Sequence, residues 1–206
     1  MIQNIPVRKI IVYTIYILLF TTIQISFPDR FSILGQTIDI MLVFVVLTAY
    51  FYDFKDGAVV GLIVGLIRDT FTSPAIRGID GTLSVSIGLG MLLMFVAAAI
   101  ASSFFTKRMN RNIPFAFVSV AFITLIYKVV GHLMVYGWVT LGAGREYGLT
   151  MSRIILTSVL PQILGNLIAA IPLIFLLRFL GPYSRNSLNK HKENTIKYGD
   201  DQWLTI

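Results

Sequence analysis

Six apolar stretches divide this chain, and they restrict its fold more than any other feature. A helix rises about 1.5 Å per residue and a bilayer's hydrocarbon core is about 30 Å thick, so apolar runs of about 18 residues or more read as membrane spans. Composition agrees. Of 206 residues, 56% are hydrophobic and 13% are charged, about half the charge of an ordinary soluble domain, and mean hydropathy is +0.79. One soluble core of this size could not hide that much apolar surface. These numbers exclude soluble enzymes, disulfide-built secreted modules and disordered chains, and they predict an all-α integral membrane protein.

The expected spans cover residues 10–27, 38–52, 57–71, 83–105, 113–141 and 154–180, making a transmembrane bundle within 1–181 followed by a polar tail, 182–206. Arg8 and Lys9 before the first run resemble the start of a signal peptide. The run is too long, however, and no small-residue cleavage site closes it, so it reads as an uncleaved span. Spans two and three are about 15 residues, or roughly 22 Å of helix, which suits either short spans inside a bundle or a hairpin that enters and returns.

The net charge of +7 sits at the ends of apolar runs: Arg8 and Lys9, then Lys107, Arg108 and Arg111, then the tail. A nucleic-acid footprint would be a basic stripe on a soluble face. Clusters at span ends instead follow the positive-inside rule and meet anionic lipid headgroups, which places both termini in the cytoplasm and predicts no nucleic-acid partner. Cysteine is absent, and His132 and His191 lie far apart, so no metal or cofactor is expected. Tyr50, Tyr52, Tyr136 and Trp138 fall near span ends, as interfacial aromatics do.

Within the spans, Gly57, Gly61 and Gly65 repeat at intervals of four. That spacing puts all three on one helix face, where another backbone approaches closely, either within the bundle or on a partner. Lys128 lies inside the fifth span with His132 one turn on. A charge there costs at least about 2.5 kcal/mol, so Lys128 should face the bundle interior toward a carboxylate, with Asp39 and Asp69 as candidates. The readings are a ligand or proton site, a structural ion pair, and a Lys128 side chain that snorkels toward an interface. Arg68 and Asp69 end the third span as an interfacial pair. Gln162 and Asn166 share a face of the sixth span beside Pro161, as polar groups that hydrogen-bond to neighbouring helices.

Tests for catalysis fail. Asp53, Asp56 and Gly57 begin like the motif of membrane alcohol phosphotransferases, but the expected Ala-Arg pair and further aspartates do not follow. There is no Walker loop, nucleophile elbow or zinc-protease motif. No catalytic residue is assigned.

Asp39 opening an apolar helix, then Asp56-Gly57 through Gly61 and Gly65 to Arg68-Asp69, then a Pro/Gly loop, resembles the rod shape-determining MreD family of bacterial cell-wall synthesis. The likeness is clearest over residues 39–93, with Gln24, Pro161 and Asn166 agreeing more loosely. Arg68 departs from the pattern, which has an apolar residue there. The resemblance implies a non-enzymatic scaffold of the bacterial plasma membrane. It would bind MreC and help couple MreB filaments to RodA and its penicillin-binding transpeptidase partner in the elongasome. It also implies a six-helix bundle similar to the substrate-binding subunits of energy-coupling-factor importers, and a vitamin- or metal-importer subunit is the alternative. Those subunits usually dock through an Ala-x-x-x-Ala face on the first span. Residues 10–27 contain neither Ala nor Gly, which counts against transport.

Overall fold

A computed structural model describes residues 7–26, 32–71, 75–77, 83–85, 88–105, 112–137 and 155–182. Among the described residues are six α-helices, α1 (Val7–Ser26), α2 (Ile40–Phe51), α3 (Phe54–Phe71), α4 (Leu89–Phe105), α5 (Ile113–Gly137) and α6 (Leu160–Leu180), and a π-helical turn (Ile155–Val159) runs directly into α6. Two short antiparallel hairpins accompany them: β1 (Ser32–Ile33) with β2 (Gln36–Thr37), and β3 (Ala75–Arg77) with β4 (Leu83–Val85). Three helical segments are long and apolar enough to cross a membrane: Val7–Ser26, Ile113–Met134 and Ile155–Leu180. The apolar helices α2 and α4 are shorter.

α2 is the hub. It is hydrophobic on all sides, and every residue from Ile40 to Phe51 is buried, as expected of a helix enclosed by others rather than lying at a surface. It packs against each of the other five helices. Phe44 meets Tyr16 and Phe20 of α1 at ring separations of 6.0 and 5.0 Å, arrangements that aromatic quadrupoles favour. By contrast α1, α5 and α6 expose rows of apolar side chains, among them Ile11, Leu18, Phe122, Ile168 and Phe175.

Local chemistry sets the boundaries. Asp39 caps α2, its side chain accepting from the Leu42 N–H, a bond that satisfies one of the free amides of a first turn. α3 begins at Phe54, three residues before the expected 57, because Asp53 accepts the Phe54 N–H on its side chain and the Gly57 N–H on its carbonyl. The first hairpin turns through Leu34 and Gly35, both at positive φ (51° and 79°). Such two-residue turns match strand twist.

The expected fourth span is corrected at its start. Residues 83–85 pair as a strand and the helix begins at Leu89. Leu83, Ser84, Val85, Ser86 and Ile87 alternate apolar and polar, the period of a strand. Gly88, at φ +103°, then breaks the chain's direction. At the sixth span, Pro161 lacks an N–H and crowds the carbonyl four residues back, which accounts for the widened π turn ahead of α6. Tyr50 and Tyr52 are also corrected. Neither ring lies on an exposed face: both are buried in protein and their hydroxyls donate to the carbonyls of Asn112 (3.0 Å) and Leu177 (2.6 Å). Tyr136 is half exposed. Residues 138–141, the basic 107–111 turn and the tail from 183 lie outside the described residues, as does Trp138.

Candidate functional site

The glycine row seats α3 against its own chain. A Cβ on Gly57 would strike Ala49 of α2, one on Gly65 would strike Met91 of α4, and one on Gly61 would lie 3.0 Å from the Met94 carbonyl. All three glycines face inward. Asp69, at the end of the same helix, folds over the start of α4 and accepts the N–H groups of Gly88 (2.7 Å), Gly90 (2.9 Å) and Met91 (3.2 Å). A side chain at Gly90 would collide with that carboxylate. Asp69 is therefore a helix cap whose negative charge sits at the positive end of the α4 dipole, and it makes no ion pair with Arg68 or Lys128.

Arg68 reaches Asp39 instead, in an ion pair whose carboxylate is buried while the Arg68 side chain stays 28% exposed. Asp39 divides its carboxylate between that guanidinium and the Leu42 N–H at 3.0 Å. The Asp39 N–H donates to Asn166 Oδ1 (2.8 Å), and the Asn166 amide donates onward to Thr124 Oγ1 (3.0 Å), which ties α2, α5 and α6 together. Gln24 of α1 grips the same point, donating to the Ile38 carbonyl and accepting from the Ile40 N–H, both at 2.9 Å. The Arg68 guanidinium also lies 5.2 Å from the centre of the Tyr127 ring, within cation–π range. Side chains of α1, α3, α5 and α6 thus converge, directly or through one another, on residues 38–40 at the start of α2.

A half-open cavity of about 210 Å³ adjoins this knot. Its walls come from Gln24, the hairpin residues Gly35, Gln36 and Thr37, and Asp39 and Arg68, with Lys128 and Gln162 facing them from α5 and α6. Among the described residues, the Lys128 ammonium forms no hydrogen bond or ion pair, and neither does the amide of Gln162, although Gln162 is only 3% exposed. His132 does not face the cavity. Its Nε2 lies 3.3 Å from Ser158 Oγ, and Ser158 donates to Gln36 Oε1 at 3.3 Å.

A second polar knot lies at the opposite end of the bundle. Asp56 of α3 pairs with Lys9 and accepts from Tyr13 at 2.9 Å. Arg8, Tyr16 and Tyr52 donate to the carbonyls of Gly181 (3.4 Å), Leu180 (2.8 Å) and Leu177 (2.6 Å), closing the C-terminus of α6. Sequence reasoning treated Arg8 and Lys9 only as topology signals and did not single out Tyr127, Thr124, Gln36 or Thr37. Their importance arises from neighbours on other helices, a relationship that no local spacing encodes.

Among the described residues no group of three or more His, Cys, Asp or Glu side chains is placed to hold a metal. The chain matches no protein-family model, and neither curated proteins nor solved structures give a match to it.

Proposed function

We propose that this chain is a six-span, non-enzymatic scaffold of the bacterial plasma membrane. Its role would be that implied by its likeness to the MreD family: binding MreC and helping to connect MreB filaments with RodA and its penicillin-binding transpeptidase partner during rod elongation. In this reading both termini are cytoplasmic, on the count of Lys and Arg in the connections. The long helices α1, α5 and α6 cross the bilayer, and the shorter α2, α3 and α4 complete the bundle.

One observation carries the reading. The residues of the resemblance, Asp39, Gly57, Gly61, Gly65 and Asp69, are all buried and all engaged with their own chain. They build a frame, which leaves the exposed apolar faces of the long helices for lipid and partner. The importer alternative draws on the cavity beside Asp39, but about 210 Å³ is below the roughly 300–1,000 Å³ of ordinary small-molecule pockets, and its walls are polar where those are mostly apolar.

The test is mild detergent extraction of the tagged full chain from its native membrane, with mass spectrometry of what co-purifies. The scaffold reading expects MreC together with RodA or the transpeptidase. It also expects Gly61→Leu, which forces α3 away from α4, to lose that recovery and the rod shape. A coupling subunit recovered with paired ATPases would replace this reading with the importer one.

A further inference from the structure

The cavity beside the Arg68–Asp39 pair holds more hydrogen-bond donors and positive charge than the described residues answer. Arg68 and Lys128 bring two cations to it and Asp39 brings one carboxylate, which Arg68 and the Leu42 N–H already engage. Among the described lining residues the formal sum is one positive charge, with Lys128 the cation that has no ion pair. Facing it is the Gln162 amide, 3% exposed and without a hydrogen-bond partner among the described residues. From the hairpin come the Thr37 side chain and Gln36, whose carbonyl oxygen is taken by Ser158 while its NH₂ group remains available.

Withdrawing an ammonium partly from water without a counter-charge of its own is unfavourable, and an amide that opens only onto the cavity is left to find its partner there. Water could meet the amide but could not balance the charge. A neutral or cationic ligand would leave the charge unanswered too. The volume, about 210 Å³, is small for a nucleotide or vitamin but ample for a tetrahedral oxyanion, given that one water's share of the liquid is about 30 Å³.

We propose that this cavity is a binding site for a single compact phosphate group, either free phosphate or the phosphate of a lipid headgroup. Lys128 supplies the charge, while Gln162, Gln36 and Thr37 donate to its oxygens. Asp39 holds Arg68 back, so that the site keeps one net positive charge and takes a monoanionic ester as well as inorganic phosphate. This assignment is independent of the scaffold reading above and stands or falls without reference to any protein partner.

The experiment uses the purified full chain. In detergent, the thermal unfolding midpoint is followed against inorganic phosphate, with chloride at matched ionic strength as the control. In parallel the chain is placed in nanodiscs of phosphatidylcholine, whose phosphate is masked by choline, with or without phosphatidylglycerol. A midpoint raised by phosphate but not by chloride identifies the free anion. A midpoint raised only by phosphatidylglycerol, with that lipid retained in native mass spectrometry, identifies the headgroup. In both cases Lys128→Met should weaken the response about tenfold or more, while Lys128→Arg preserves most of it. Gln162→Leu keeps the charge and removes the donor, so it reports on the site even where Lys128→Met folds poorly, and a smaller weakening is expected. No response to either probe overturns the proposal, as does a response that Lys128→Met and Gln162→Leu leave unchanged.

Discussion

The two aspartates that flank α3 do opposite things with the same chemistry. Asp69 spends its carboxylate on three backbone N–H groups of its neighbour's first turn, on the side of the bundle where Gly61 and Gly65 bring α3 and α4 into backbone contact. Asp39 caps α2 with one oxygen and holds Arg68 with the other, beside a cavity where Lys128 and Gln162 have no hydrogen-bond partner among the described residues. The first region is closed and answers its charge within the fold. The second gathers side chains of α1, α3, α5 and α6 at the start of α2 and still carries an excess of donors. In a membrane, where lipid offers no hydrogen bonds, such an excess is expensive, so the difference separates a region that builds the frame from one that has room for a ligand.

Removing Asp39 should have the largest effect. Asp39→Ala removes the carboxylate from Arg68 and uncaps α2. Breaking a fully buried pair costs about 3–5 kcal/mol, and with Arg68 28% exposed the loss, cap included, should be about 3 kcal/mol. The loss should appear as an earlier transition when helicity is followed through dodecyl-sulfate titration of dodecyl-maltoside micelles. Replacing both partners, as Asp39→Leu with Arg68→Met, should recover most of the loss, since apolar substitutes for a buried pair are often neutral or better. If Asp39→Ala behaved like the parent, the ion pair would not be holding the second region together.

Gly65→Leu comes next. The obstacle it meets is the backbone of Met91, which cannot rotate away, so the penalty should reach the top of the usual overpacking range of about 1–3 kcal/mol. Asp69→Ala should cost less, about 0.5–2 kcal/mol as for other N-caps. Its signature is local: amide exchange at Gly90 and Met91 should quicken while α2 stays protected. Quickening in α2 as well would show that the two regions unfold as one and would erase the distinction drawn between them.

Much of the frame was legible before any coordinates. Apolar length located six helices, an aspartate before an apolar run located the start of α2, and spacing of four put three glycines on one face. What the glycines touch was not legible, because a helix face carries no record of its neighbour. The same limit applies to Lys128, for which Asp39 and Asp69 were both open candidates, and to Arg68, expected beside Asp69 at the end of its span but paired with Asp39. Asp39 and Asn166 meet across 127 residues, a distance at which sequence periodicity is silent. Tyr50 and Tyr52 were misplaced for a related reason. Proximity to the end of an apolar run suggests an interface, but at the end of a fully enclosed helix the same ring is buried and its hydroxyl finds a carbonyl on α5's flank or on α6. The strand at 83–85 was not anticipated: a span drawn by apolar length runs straight through a short stretch of period-two alternation.

The smallest effect should have the opposite sign. Gly131 lies in α5, on the looser side of the molecule, and a Cβ built on it meets nothing within 4 Å. There is no close approach to protect, so the residue contributes only the conformational freedom that glycine loses on folding. Gly131→Ala should therefore stabilise by about 0.4–1 kcal/mol, read as a later transition in the same dodecyl-sulfate titration. The identical change at Gly65 should destabilise, because there even a single methyl carbon lands on Met91. Two Gly→Ala variants with opposite signs would separate the close-packed side from the open one without touching any charge. If both destabilised, α5 would be as tightly seated as α3, and the room around Lys128 would belong to the cavity alone.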